Sequence, residues 1–218
     1  MRFDPITYGS LRKHQMAAYS ERHYGEREWR LRKVRALIFH YTAGPSYTSA
    51  WNTFESNAPN LGEYPGVCTQ FVVDQDGTIY RLTKRDVRCR HTIGLNHRSI
   101  GIEMVQEALS SPAATSQAIL DRGPQARAVV RLSAWLKQLY DLKMRNLIGH
   151  AMANDSPLFQ ERTSWRNDHS DWQAPQVRKL HRRIAGLIYA GHNRAAAPRG
   201  IASGALDSRS ARPRRGSW

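Results

Sequence analysis

The sequence predicts an α/β domain with a central mixed β-sheet flanked by helices, and three features carry that prediction. Phe71-Val-Val73 and Thr78-Ile-Tyr80 flank Asp76-Gly77, whose glycine supplies the positive φ of a tight hairpin. Two short apolar runs, Ala36–Tyr41 and Ser99–Val105, have the length of buried strands. Val129, Leu132, Leu136 and Leu139 recur at helical spacing between Gln125 and Tyr140. Strands interleaved with helices make a layered α/β domain rather than a helical bundle or a β-sandwich.

Taken in order, Ser10–Arg35 is rich in charge and reads as a helix with one polar face. The strand at Ala36–Tyr41 ends at the Thr42-Ala-Gly-Pro45 break, because proline and glycine interrupt a ladder. A short helix is expected over Ser49–Asn57, then a loop through Pro59, Gly62, Pro65 and Gly66. After the hairpin, the Ser99 strand and the Gln125 helix, Asn146–His150 reads as a short strand, followed by a long loop to Ala174. Pro175 opens a last helix that carries Val177, Leu180, Ile184, Leu187 and Ile188 on one side. Its other side carries Arg178, Lys179, Arg182 and Arg183 and reads as a solvated face. Residues 1–191 therefore form one domain with an N-terminal helical segment. Residues 192–218 are Ala, Gly, Ser, Pro and Arg with few large apolar side chains, a composition expected to stay disordered.

The chain of 218 residues carries 33 Lys and Arg against 18 Asp and Glu, a formal charge of +15. Such a balance draws a protein to polyanions. No zinc-finger, RRM or helix-turn-helix pattern accompanies the charge, so no specific nucleic-acid partner is expected. No apolar run approaches the roughly 18 residues of a membrane-spanning helix. The opening residues, MRFDPITYGSLRKHQ, contain no continuous apolar segment of the kind a secretory signal requires. Cys68 and Cys89 are too few for a disulfide scaffold and lack CxxC spacing. They read as one bridge across the strand hairpin, with two small buried hydrophobes as the alternative.

Three histidines stand where a site is built. His40 ends a buried strand before a Gly-Pro break, His150 ends the Leu147-Ile-Gly149 strand, and His169-Ser-Asp171 follows in a polar loop. Two His and one carboxylate, with the fourth position left to water, form a common catalytic zinc set. There is no HExxH motif, so spacing alone leaves each histidine open to an ordinary structural role.

Five blocks alter that balance. Leu37-Ile-Phe-His-Tyr-Thr-Ala43, Phe71-Val-Val-Asp-Gln-Asp-Gly-Thr-Ile-Tyr80, Arg90-His-Thr-Ile-Gly94, Asn96-His-Arg-Ser-Ile-Gly-Ile-Glu103 and Leu147-Ile-Gly-His150 run in this order. Together they resemble the zinc-dependent N-acetylmuramoyl-L-alanine amidases, the family of amidase-type phage lysozymes and peptidoglycan recognition proteins. The resemblance spans about residues 36–172, and the Asn-x-x-Ser-Ile-Gly-Ile-Glu block is its most specific part. It implies a single amidase or peptidoglycan-recognition-like domain that uses Zn²⁺ to hydrolyse the amide between N-acetylmuramic acid and the L-alanine of the stem peptide.

The resemblance also implies roles. His40 and His150 fall on the family's two histidine ligands, and Glu103 on the acid that activates the metal's water. The family's third ligand follows a catalytic Lys by two positions, which makes Asp171 the ligand and places His169 where the Lys stands. A protonated His169 would support the oxyanion, and activity would then fall at alkaline pH. The usual Asp-Pro-Gly is replaced by Asp168-His-Ser-Asp-Trp172, so His169 and Asp168 stay open as alternative third ligands. His91 and Asn96 match positions near the substrate, with local hydrogen bonding as the competing role. Gln70 stands where many relatives carry His. Trp51, Trp165 and Trp172 are candidates for lining a groove.

The expected partner is peptidoglycan, with a non-catalytic muropeptide-binding module of the same fold as the alternative. The basic tail is expected to hold anionic wall polymers or a membrane surface, and a monomer is the expected state. The setting implied is the cell wall, reached from the periplasm or outside the cell, either as a phage endolysin released by a holin or as a processed secreted enzyme.

Overall fold

The computed structural model describes residues 1–196; residues 197–218, which hold most of the basic tail, lie outside the described residues. The elements are β1 (Arg2–Phe3), α1 (Ser10–Tyr24), β2 (Ala36–Ala43), α2 (Tyr47–Glu55), β3 (Phe71–Val73), β4 (Ile79–Arg81) and β5 (Ser99–Glu107). They continue with α3 (Pro112–Asp121), α4 (Gly123–Leu139), β6 (Leu147–Gly149) and α5 (Ala174–Ala196). The six strands form one mixed sheet in the order β1-β4-β3-β5-β2-β6. Only β3 and β4 pair antiparallel, through the hairpin whose Gly77 has φ +87°; the other neighbours are parallel.

Each face of the sheet has its own task. Leu37, Phe39, Phe71, Val73, Ile100, Ile102 and Met104 project to one side and meet Ile119 and Leu120 of α3, Val129, Leu132 and Leu136 of α4, and Val177, Leu180 and Ile184 of α5. Alternate residues project to the other side, where Val72 and Val105 pack with Ala50 and Phe54 of α2. The central strands are thus covered on both faces, which is why they read as continuous apolar runs rather than alternating ones. His40 and Glu103 belong to this second face.

Two expectations are corrected. The first helix stops at Tyr24 instead of continuing to Arg35, because Gly25 adopts φ +77° and its N–H caps Glu21 and Ser20. The residues that follow run extended, with Leu31 N–H donating to Asp86 O at 2.7 Å. Helix α3 was not expected, since its Ala-rich sequence has little periodicity. Its signal was the cap: Ser111 Oγ accepts from Ala114 N–H, and Pro112 occupies the first turn.

Cys68 and Cys89 form the expected bridge, with both residues buried and Cα atoms 5.0 Å apart. It ties the approach to β3 to the segment that leads into His91, and Cys68 N–H donates to Arg90 O beside it.

Candidate active site

His40 lies near the carboxyl end of β2, opposite Glu103 in the parallel register with β5. Strand β6 pairs with the other edge of β2 and ends at Gly149, so His150 emerges beside His40. The chain then loops out and returns through Asp171. Three contacts hold that return: Ala151 N–H donates to Asp171 O at 2.9 Å, Trp172 Nε1–H donates to His40 O at 3.2 Å, and Trp172 is fully buried. Trp172 adopts φ +55°, and Gly149 lies so close to its carbonyl that a Cβ there would be 1.6 Å from the oxygen. Glycine is required at that crossing.

These constraints bring three donors together. His40 Nδ1 and His150 Nδ1 are 3.1 Å apart, His150 Nδ1 is 3.2 Å from Asp171 Oδ1, and His40 Nδ1 is 3.4 Å from Asp171 Oδ2. All three residues are buried. Zinc–ligand bonds near 2.0 Å in tetrahedral geometry require ligand atoms about 3.3 Å apart. Each of the three observed separations is close to that length, with the two from Asp171 made by different oxygens, and two imidazoles with one carboxylate form a zinc-type donor set.

The electrostatics agree with the donor set. Burial and the neighbouring His150 lower the pKa of His40 to about 4, so its imidazole is neutral at pH 7. Burial alone would raise Asp171, but the adjoining His150 and His40 rings hold it well below the usual carboxylate range. Glu103 behaves oppositely. Burial, then the charge of Asp171, pushes it well above the ordinary value, and its Oε2 has no hydrogen-bond partner. These groups line a cleft of about 630 Å³ walled by Ala43 and Gly44, by Thr53 of α2, by Leu61 and by Asn167–Ser170.

The remaining candidates divide. His169 stacks on His150 with ring centroids 4.3 Å apart and is 63% exposed at the mouth of the cleft. Partial burial of its stacked face and the adjacent His150 lower its pKa. Asp168 is 94% exposed and approaches only His169, at 3.8 Å, while Asp171 is the carboxylate that meets both histidines. His91 lies behind His40, its Nδ1 3.1 Å from His40 Nε2. Asn96 is buried, with Oδ1 accepting from His91 and Thr92 N–H and Nδ2 donating to the Tyr24 hydroxyl. Gln70 braces the sheet by bonding Val87 O and Gly101 N–H. None of the three tryptophans lines the cleft. Trp51 and Trp165 pack in side clusters, and Trp172 belongs to the main core.

Sequence reasoning missed Asn167, whose Oδ1 lies 3.0 Å from His150 Nε2. No local pattern marks an asparagine in a polar loop as a neighbour of a histidine on the sheet.

The profile of a family described as N-acetylmuramoyl-L-alanine amidase (Amidase_2) matches residues 30–173, about two thirds of the 218-residue chain. No curated protein sequence matches the chain. Among solved structures, the Staphylococcus aureus hydrolase AmiA, crystallised with its ligand, superposes with a TM-score of 0.52 at 15% identity, over 87% of this chain and 84% of that one. A mutant endolysin from Bacillus subtilis gives a TM-score of 0.50 at 16% identity, over 85% and 97%. The catalytic domain of XlyA gives 0.51 at 14% identity, over 84% and 97%. At these identities the likeness is one of fold.

Proposed function

The chain belongs to the N-acetylmuramoyl-L-alanine amidase family, and on that premise we propose that it uses zinc held by His40, His150 and Asp171 to cut the amide joining N-acetylmuramic acid to L-alanine. It is a peptidoglycan amidase. The observation that carries the zinc reading is the convergence of two imidazole Nδ1 atoms, 3.1 Å apart, on one carboxylate whose Oδ1 and Oδ2 lie 3.2 and 3.4 Å from them. A zinc ion bound there supplies an acidified water and Lewis acidity towards a carbonyl oxygen.

The chain's own residues supply the rest. Glu103 is the proton carrier: its raised affinity for a proton and its unpartnered Oε2 suit a group that accepts a proton and later delivers it to the leaving amine. His169, at the cleft mouth, is the hydrogen-bond donor to the developing oxyanion. Its lowered pKa supports a neutral N–H donor at pH 7 instead of the cation expected from the family's Lys. The buried triad and Glu103 favour hydrolysis over a recognition module that only binds muropeptides.

The setting we propose is the cell wall, with a monomer acting on the polymer and the basic tail holding anionic wall polymers or a membrane surface. Mass spectrometry of purified peptidoglycan incubated with the protein tests the reaction. Stem peptides with a new N-terminal alanine should appear, vanish with a zinc chelator and return with added zinc. Binding to the wall without release from several chemotypes would leave the recognition module as the function.

A further inference from the structure

Both histidines of the triad face Asp171 through Nδ1, and the hydrogen bonds that set their tautomers arise away from the ligands. Asn167 governs His150. Its Oδ1 accepts from Ile93 N–H at 2.9 Å, and its Nδ2 donates to Ile93 O at 2.9 Å and to Asn154 Oδ1 at 3.2 Å. A backbone N–H can only donate and a carbonyl can only accept, so Ile93 dictates which end of the carboxamide is oxygen. His150 Nε2 lies 3.0 Å from that oxygen and is left with one role, donor. A neutral imidazole protonated at Nε2 presents its lone pair at Nδ1. Asn154 holds Asn167 in place, accepting from its backbone N–H at 3.0 Å and donating to its carbonyl at 2.9 Å.

A separate chain governs His40. The Ser99 hydroxyl donates to Leu95 O at 2.8 Å, so its oxygen is free to accept. It faces His91 Nε2 at 3.4 Å, which puts the His91 proton on Nε2 and leaves His91 Nδ1 as acceptor. That Nδ1 is 2.9 Å from the Thr92 hydroxyl and 3.1 Å from His40 Nε2. His40 Nε2 is therefore the donor, and its Nδ1 again carries the lone pair. Gly101 makes room for the arrangement, since a Cβ there would lie 3.0 Å from His91 Cγ.

We propose that Asn167 and His91 are positioning residues that hold His150 and His40 as Nε2–H tautomers, keeping both Nδ1 lone pairs on the metal side. Both chains end on backbone groups of one segment, at Ile93 and Leu95, which gives the two ligands a common reference. His91 is thereby moved from a substrate contact to a support for His40. The inference rests on the zinc reading, because it assigns the purpose of the two lone pairs. Partners of this kind are worth about 10- to 100-fold in metal affinity.

The test uses the full chain and two measurements. Long-range ¹H–¹⁵N spectra of the zinc-loaded, ¹⁵N-histidine-labelled protein report which nitrogen of each imidazole carries the proton, and competition with a chromophoric chelator reports zinc affinity. In the wild type, His40 and His150 should both be protonated at Nε2. Asn167→Ala should weaken zinc about 10- to 100-fold and speed solvent exchange of the His150 Nε2–H alone, and His91→Phe should do the same for His40 alone. A general loosening of the fold would move both histidines together. Asn167→Asp keeps the acceptor and should bind zinc more tightly than Asn167→Ala. An Nδ1–H tautomer at either histidine in the wild type overturns the proposal, and so do variants that bind zinc as tightly as the wild type. If the wild type binds no zinc, the zinc reading fails; if it binds zinc and the variants match it, only the positioning proposal fails.

Discussion

His40 and Glu103 are register partners across β2 and β5, so their side chains leave the sheet on the same face. Strand pairing thus sets the spacing between a histidine of the proposed zinc site and an acid with an unpartnered oxygen, Oε2 of Glu103. Glu103→Gln keeps the shape and removes the proton carrier. Turnover should fall about 10²- to 10⁴-fold, with zinc affinity and melting temperature retained. Turnover within tenfold of wild type would remove Glu103 from the chemistry.

Zinc should also act as a folding ligand. With free zinc at about a thousand times its dissociation constant, the native state gains about 4 kcal/mol. Calorimetry with zinc and with chelator should show that gain in the wild type. Asp171→Ala should lose most of it, because one edge-forming donor is gone. An identical melting temperature with and without zinc in the wild type would contradict the site.

Gly149→Ala tests the crossing that delivers Asp171. The added Cβ would meet the Trp172 carbonyl, and backbone cannot step aside as a flexible side chain can. We expect a loss of about 3 kcal/mol in urea unfolding together with weakened zinc binding. A loss below about 1 kcal/mol would show that the return loop tolerates a wider path.

His169→Ala should lower kcat about 10²-fold, the usual worth of one oxyanion donor. Because the lowered pKa leaves His169 neutral at pH 7, its contribution should persist from pH 7 to 9. If the wild-type advantage over the variant disappears across that range, the cationic role is the correct one.

Stability should respond to acid through a residue outside the cleft. His97 is buried against Tyr24, with ring centroids 4.1 Å apart and neither ring nitrogen hydrogen-bonded. Burial, then Arg98 and Arg88, lowers its pKa to about 4. The folded state stays neutral while the unfolded chain takes up a proton below its ordinary value of about 6.5. Stability present above pH 6.5 is therefore lost as pH falls towards 4, by about 2 kcal/mol between pH 7 and 5. His97→Phe keeps the stack and should flatten that part of the urea-unfolding profile. Equal slopes in both proteins would exclude His97 as the source.

How far the sequence could be read follows from the range of each signal. The hairpin at Asp76-Gly77, the strands at Ala36 and Ser99, and helix α4 announce themselves through turn chemistry and periodicity, which act over a few residues. Helix α1 was overextended because charge-rich sequence continues past Gly25, and only the left-handed conformation of that glycine ends the helix. His40, His150 and Glu103 were legible through their motifs. Asn167 had no motif, and its role exists only because the loop lies against Ile93.

The sequence by itself determined the α/β class, the two histidines and the shortlist of Asp168, His169 and Asp171. Only the tertiary structure shows which of the three approaches both histidines. His40 and His150 are 110 positions apart, and parallel pairing of β2 with β6 brings them within 3.1 Å. Asp171 is the one that meets both rings, at the Gly149–Trp172 crossing and beside the left-handed backbone of Trp172, while Asp168 remains in solvent. Local propensity acts over one or two turns of chain, whereas a donor triangle is set by contacts between segments that only the folded sheet makes neighbours.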